Sequence, residues 1–210
     1  MRLRLLLLTL LAAGLLTACD TNSTNATRNP GAVSIQGTIT WDDDDALKIS
    51  TGIYLVEMGS NTRVAGAAAA PPDYTYEFKD IPAGDYAITA HDAGHGAHIT
   101  NITVTPGRTT TINLPFTPLG TYRGKAVLEG LPGQNGGIII RVLNTPFQSF
   151  TDFTGEYRLI QQTLPEATYT LTLSKDGYET VTLSDVVIRP GEETVLPDVV
   201  LRPTGASGTP

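Results

Sequence analysis

The sequence predicts an all-β protein in which two similar β-sandwich units follow an N-terminal export signal. Three observations lead there. Apolar and polar residues alternate over short runs, as in Val33/Ile35, Ile53/Leu55, Tyr86/Ile88/Ala90, Tyr169/Leu171/Leu173 and Val181/Leu183. That period of two belongs to strands with one buried face. Turn-forming glycine, proline, asparagine and aspartate break the runs roughly every ten residues. Finally, the second half of the chain repeats the motifs of the first, and no stretch holds a helical apolar spacing over three turns.

The chain opens Met1-Arg2-Leu3-Arg4 and continues through a leucine-rich run to Leu16-Thr17-Ala18-Cys19, which contains its one cysteine. The apolar run is shorter than the roughly 20 residues a membrane-spanning helix needs. Its basic start and small-residue end are those of an export signal. The Leu-Thr-Ala-Cys string resembles the lipobox of bacterial lipoproteins. That resemblance implies a signal peptide over residues 1–18, cleavage before Cys19, and acylation of Cys19. Two or three acyl chains anchor stably where one is marginal, at about 0.8 kcal/mol per buried methylene. The implied location is the cell envelope, on the outer face of a membrane, with membrane lipid as the first partner.

The sequence carries 14 basic and 21 acidic residues, a net charge of −7. Cleavage would remove Arg2 and Arg4 and leave −9. So acidic a chain is not a nucleic-acid binder. With Cys19 acylated no thiol remains for a disulfide, so the fold rests on its cores alone.

Residues 19–31 are polar and aperiodic, a tether with a mean reach of about 20 Å. The first unit is expected over 32–117 and the second over 118–203, with a polar tail at 204–210. Tyr76-Glu77-Phe78 and the following Ile81-Pro82-Ala83-Gly84-Asp85-Tyr86 match Tyr157-Arg158-Leu159 and Leu164-Pro165-Glu166-Ala167-Thr168-Tyr169. Both copies go on to a Gly turn and then Pro-Gly, at Pro106-Gly107 and Pro190-Gly191. The starts correspond as well, Val33 to Gly37 against Gly120 to Gly124. Residues 115–118 are expected to form a short joint that stacks the units end to end. The alanines of 67–70, between Gly66 and Pro71, are expected in a turn or loop.

These motifs, clearest as Thr151-Asp152-Phe153-Thr154-Gly155-Glu156-Tyr157-Arg158-Leu159, Leu164-Pro165, Tyr169, Asp176-Gly177-Tyr178 and Pro190-Gly191, resemble the carboxypeptidase regulatory-like domain. The first copy departs where Asp73-Tyr74-Thr75 runs into Tyr76 without the Gly-Glu pair. The resemblance implies a transthyretin-like, prealbumin-type sandwich in each half. Members commonly serve as accessory, adhesion or spacer modules of exported proteins, and related sandwiches bind starch-like glycans. The motifs shape the fold and carry no chemistry.

Three features invite a site. His91, His95 and His98 fall within eight residues, and imidazoles are ligands for zinc or copper; the alternative is a polar hairpin loosened by Gly94 and Gly96. Asp42 to Asp45 would welcome calcium, but they lack the spacing of a calcium loop and read as a solvated hairpin tip. Trp41, with Tyr74, would stack on a glycan if exposed, and otherwise belongs to the core because it shares the parity of Ile35 and Ile39. The sequence holds no G-x-S-x-G elbow and no H-E-x-x-H. The expected function is therefore a non-catalytic, lipid-anchored envelope protein that contacts another envelope protein or a glycan, with an exposed sheet edge as one route to a protein partner.

Overall fold

A computed structural model describes residues 33–41, 49–159 and 164–205. Among them the chain is all strand and turn. The first eight strands are β1 (Val33–Trp41), β2 (Thr51–Glu57), β3 (Arg63–Ala69), β4 (Thr75–Ile81), β5 (Gly84–His91), β6 (His95–Val104), β7 (Thr110–Thr111) and β8 (Leu114–Pro118). The next eight are β9 (Thr121–Leu128), β10 (Ile139–Val142), β11 (Gln148–Phe150), β12 (Glu156–Arg158), β13 (Ala167–Ser174), β14 (Val181–Ile188), β15 (Glu193–Val195) and β16 (Val199–Leu201).

The strand order repeats. In the first half β3-β2-β5-β6 lie side by side, and β1 carries β4 on one flank and β7 and β8 on the other. In the second half β11-β10-β13-β14 and β9, with β12, β15 and β16, do the same. Each half encloses its own apolar cluster, because alternate residues point inward. One cluster holds Ile35, Ile53, Leu55, Phe78, Ile88 and Phe116. The other holds Tyr122, Ile140, Leu164, Leu171, Leu173 and Leu201. Each fully buried aliphatic or aromatic side chain contributes about 1.5–3 kcal/mol of transfer free energy.

Two local devices recur at equivalent places. The tyrosine after the Pro-x-x-x step closes back on its own turn: Tyr86 Oη donates to the Pro82 carbonyl at 2.9 Å and Tyr169 Oη to the Pro165 carbonyl at 2.8 Å. The register also slips by one residue between Tyr86 and Ile88, and again between Tyr169 and Leu171. At those bulges Asn101 and Asp185 take φ of 59° and 57°. Asn and Asp tolerate the left-handed region better than other side chains.

The structure departs from the sequence expectations in three places. The alanine run is not a loop: Ala67 to Ala69 finish edge strand β3, where Ala65, Ala67 and Ala69 turn toward the core and Gly66 and Ala68 outward. Small side chains suffice there because β2 supplies the bulk. The expected joint at 115–118 is strand, since β8 runs parallel to β1 and pairs antiparallel with the start of β6. The halves also do not meet through their ends alone. The outer face of the β5–β6 hairpin meets the second half through His91 on Phe147 and His98 on Tyr169, and β5 is buried continuously from Tyr86 to Ala90.

Candidate functional site

The histidine cluster lies at this junction. Asp92 builds the hairpin tip: its carboxylate accepts from the Gly94 and His95 amides at 2.9 and 2.7 Å, and its own amide donates to the His95 carbonyl. Pairing of Thr89 with His98 and of His91 with Gly96 places His91 and His98 on the outer face of the sheet. Strand alternation sends His95 to the other face, with Ala97. The His91 ring meets Phe147 edge-on at 5.3 Å, and the His98 ring stacks on Tyr169 at 4.9 Å. His98 Nδ1 also shares a hydrogen bond of 2.8 Å with Thr89 Oγ1. Burial pushes His98 down to about 4, against a smaller opposing effect from a backbone bond with Ile88. The zinc or copper site weighed for His91, His95 and His98 against a polar hairpin is therefore not assembled, and no group of three metal-ligating side chains occurs among the described residues. The His91 and His98 imidazoles serve as packing surface instead.

Polar bonds complete the junction. Asn61 Nδ2 donates to the carbonyls of Val142 and Thr145, both at 2.7 Å. The Gly59 amide donates to Asn144 Oδ1 at 2.6 Å, and the Asn144 amide to the Ser60 carbonyl at 2.9 Å. The β2–β3 turn thus clasps the β10–β11 turn. Gly96 lets the chains approach, since a Cβ there would stand 2.6 Å from the Ala90 carbonyl oxygen and 2.9 Å from Leu119. None of these contacts was legible in the sequence, because asparagines in turns read as turn formers and not as clasps.

Trp41 and Tyr74 are brought together, with ring centroids 4.7 Å apart at 76°. Trp41 also meets Phe116 edge-on, and both rings pack, half-buried, against the first core. Edge-on rings do not offer the shared flat face that a pyranose needs as a stacking platform. Cys19 and Asp42 to Asp45 lie outside the described residues.

A pair of clefts at equivalent positions was not foreseen. In the second half a cleft of about 560 Å³ opens over β9, β12 and β15, bounded by Arg123, Lys125, Arg158, Tyr157, Phe150 and Val195. In the first half a cleft of about 510 Å³ opens over β1, β4 and β7, bounded by Gln36, Thr38, Glu77, Tyr76, Ala68 and Thr111. The register makes these counterparts: Gln36 faces Glu77 as Arg123 faces Arg158, and Gly37 faces Tyr76 as Gly124 faces Tyr157.

The tyrosine at the base differs between them. Tyr76 Oη donates to the Ile112 carbonyl at 2.6 Å. Tyr157 is only 3% exposed, yet its hydroxyl has no hydrogen-bond partner among the described residues. Burial raises both phenols, and for Tyr157 the nearby Tyr122 and Asp198 raise it further. Leu196 occupies the place of Ile112, each bonding back to the neighbouring strand at 2.8 Å. The chain then takes one extra residue, Pro197-Asp198 against Asn113, before rejoining its sheet, and the Leu196 carbonyl does not take up the hydroxyl.

No protein-family model matches the chain, and no curated protein does. Solved structures resemble it loosely. The minor pilin GBS52 of Streptococcus agalactiae shares 12% identity with a TM-score of 0.37, over 85% of this chain and 98% of that one. A putative adhesin from Bacteroides ovatus shares 11% with a TM-score of 0.34, over 94% and 100%. A type II cohesin–X-dockerin complex from Acetivibrio cellulolyticus shares 16% with a TM-score of 0.35 over 39% of this chain, and the chain spans 56% of that one. These likenesses concern the all-β fold.

Proposed function

We propose that the protein is a non-catalytic, lipid-anchored component of the bacterial envelope. Two tandem transthyretin-like units, over 32–117 and 118–203, hold binding surfaces in a fixed relation to each other and to the membrane. The observation that supports this best is the clasp between the halves. Two turns exchange four hydrogen bonds through Asn61 and Asn144, and two ring contacts reinforce them. A junction so bonded keeps both halves in one orientation, as a presenting scaffold requires, and each bond, part-buried or exposed, adds up to about 1 kcal/mol. The acyl groups on Cys19 would tie it to the surface through the 19–31 tether.

Membrane fractionation with metabolic labelling by an alkynyl fatty acid tests the anchor. The wild-type chain is expected to carry label and sediment with membranes. Cys19→Ser is expected to lose the label and appear in the soluble fraction. A labelled Cys19→Ser chain, or an unlabelled wild type, refutes the anchor.

A further inference from the structure

We propose that the cleft over β9, β12 and β15 binds a carboxylate-bearing saccharide unit. Arg123, Lys125, Arg158 and the Tyr157 hydroxyl would hold the carboxylate and ring oxygens, and Phe150 would lie against the sugar face. This goes beyond the anchored scaffold and does not depend on it.

The cleft costs the folded chain free energy in two ways. A buried hydroxyl without an acceptor sacrifices hydration for nothing in return. Tyr157 is such a group, and its counterpart Tyr76 is not. Like charges directly opposed on neighbouring strands also destabilise a sheet. Arg123 and Arg158 are so opposed, and only Arg123 is relieved, by Glu193 at 2.8 Å. Arg158 makes no ion pair among the described residues, and Lys125 stands directly opposite Glu156 across the strand pair without closing an ion pair. Both features border one concavity, the cations on its outer rim and the Tyr157 hydroxyl at its base beneath Gly124, and an acceptor-rich anion seated there would relieve both.

Comparison with the first half removes the alternative that the fold demands them. There the same three rim positions are Gln36, Thr38 and Glu77, so the second cleft holds three cations where the first has none. Ala68 and Thr111 are replaced by Phe150 and Val195, which are 53% and 60% exposed. Guanidinium and ammonium groups make charge-assisted bonds to carboxylate. An exposed aromatic supplies an apolar wall, and the volume suits one or two sugar rings.

A saccharide is favoured over a peptide carboxylate by the remaining acids. Glu156 and Asp198 share the cleft, and carboxylates offer acceptors only. Sugar hydroxyls supply donors on the same ring that carries the carboxylate. A peptide terminus supplies a single amide nearby. Asp152 is already occupied, accepting from the Thr154 amide and hydroxyl and from the Glu156 amide at 2.7–3.0 Å.

Calorimetric titration of the full chain with trigalacturonate, maltotriose and triglycine tests this, with thermal melts confirming that each variant folds. Trigalacturonate is expected to bind, and maltotriose about tenfold or more weaker for the loss of charge-assisted bonds. Arg158→Gln is expected to weaken trigalacturonate about tenfold and Tyr157→Phe about fivefold, with Tyr76→Phe in the first cleft leaving it unchanged. Retention in Arg158→Gln and Tyr157→Phe overturns the site. Equal binding of maltotriose overturns the carboxylate, and equal or tighter binding of triglycine overturns the saccharide. Absence of any binding at about 10 mM, a free energy of under 3 kcal/mol, overturns the proposal altogether.

Discussion

The two halves share strand order, bulge and tyrosine corner, yet their outward surfaces have opposite characters. Along β5 the outward residues Ala87 and Thr89 are fully buried, whereas their counterparts on β13, Thr170 and Thr172, are half-buried. His98 stacks on the partner half, and its counterpart Thr182 is exposed. Over β1 and β9 the contrast runs differently: a cleft with one acid, no cation and a bonded tyrosine faces one with three cations, three acids and an unbonded tyrosine. The inward pattern preserves the fold in both copies, while the outward residues give one surface of the first half to the junction and leave one surface of the second for the ligand proposed above.

The two halves should differ most at the paired glycines beneath the tyrosines. A Cβ at Gly37 would stand 1.7 Å from the Ile112 carbonyl oxygen, which is backbone and cannot swing aside. A Cβ at Gly124 would stand 2.5 Å from the Tyr157 hydroxyl and 3.1 Å from Leu196 Cβ. Gly37→Ala is therefore expected to destabilise by about 3 kcal/mol or more, and Gly124→Ala by about 1–2 kcal/mol. Urea unfolding of both variants measures this. Equal losses would mean that the two clefts are built alike.

How much of this was legible follows from where the signals sit. Alternation at Ile53/Leu55 and Tyr169/Leu171/Leu173 gave the strands, because each has one wet face. The Ile-Pro-Ala-Gly-Asp-Tyr and Leu-Pro-Glu-Ala-Thr-Tyr segments gave the repeat, because turn geometry restricts residue choice. The buried outer face of β5 was not legible: Ala87 and Thr89 are small and mildly polar, and nothing local distinguishes them from solvated residues. The histidines were misleading for a related reason. Proximity in sequence suggested convergence, but strand alternation separates His95 from His91 and His98. The cleft was not legible in the sequence, because strand pairing is what opposes Arg123 to Arg158 and sets them against Gln36 and Glu77 of the first half.

The junction offers the next test, and it is pH-dependent. His98 is held at about 4 in the fold and returns to about 6.5 when unfolded. Between those values the unfolded chain binds the extra proton, so the contribution is complete above about 6.5 and is lost as pH falls toward 4. The expected loss between pH 7 and pH 5 is about 1–2 kcal/mol, trimmed by the ring's partial exposure. His98→Gln should flatten that part of the stability profile. Thr182→Ala, at the counterpart position, should leave it unchanged. An unaltered slope in His98→Gln would remove His98 from the junction's energetics.

The smallest effect is the most diagnostic because its sign reverses between halves. Tyr76→Phe removes a 2.6 Å bond and leaves the Ile112 carbonyl without that donor, so a loss of about 1–2 kcal/mol is expected. Tyr157→Phe removes only a buried hydroxyl that lacks a partner, so stability should hold or rise by a few tenths to about 1 kcal/mol. Chemical denaturation of the two single variants and their double variant measures both, and the sites are remote enough for the effects to add. Retaining a destabilising hydroxyl makes physical sense where binding needs it, since sites that serve a ligand commonly sacrifice folding free energy. If both substitutions destabilise alike, Tyr157 is bonded as Tyr76 is, and the second cleft has no unmet donor with which to recruit a ligand.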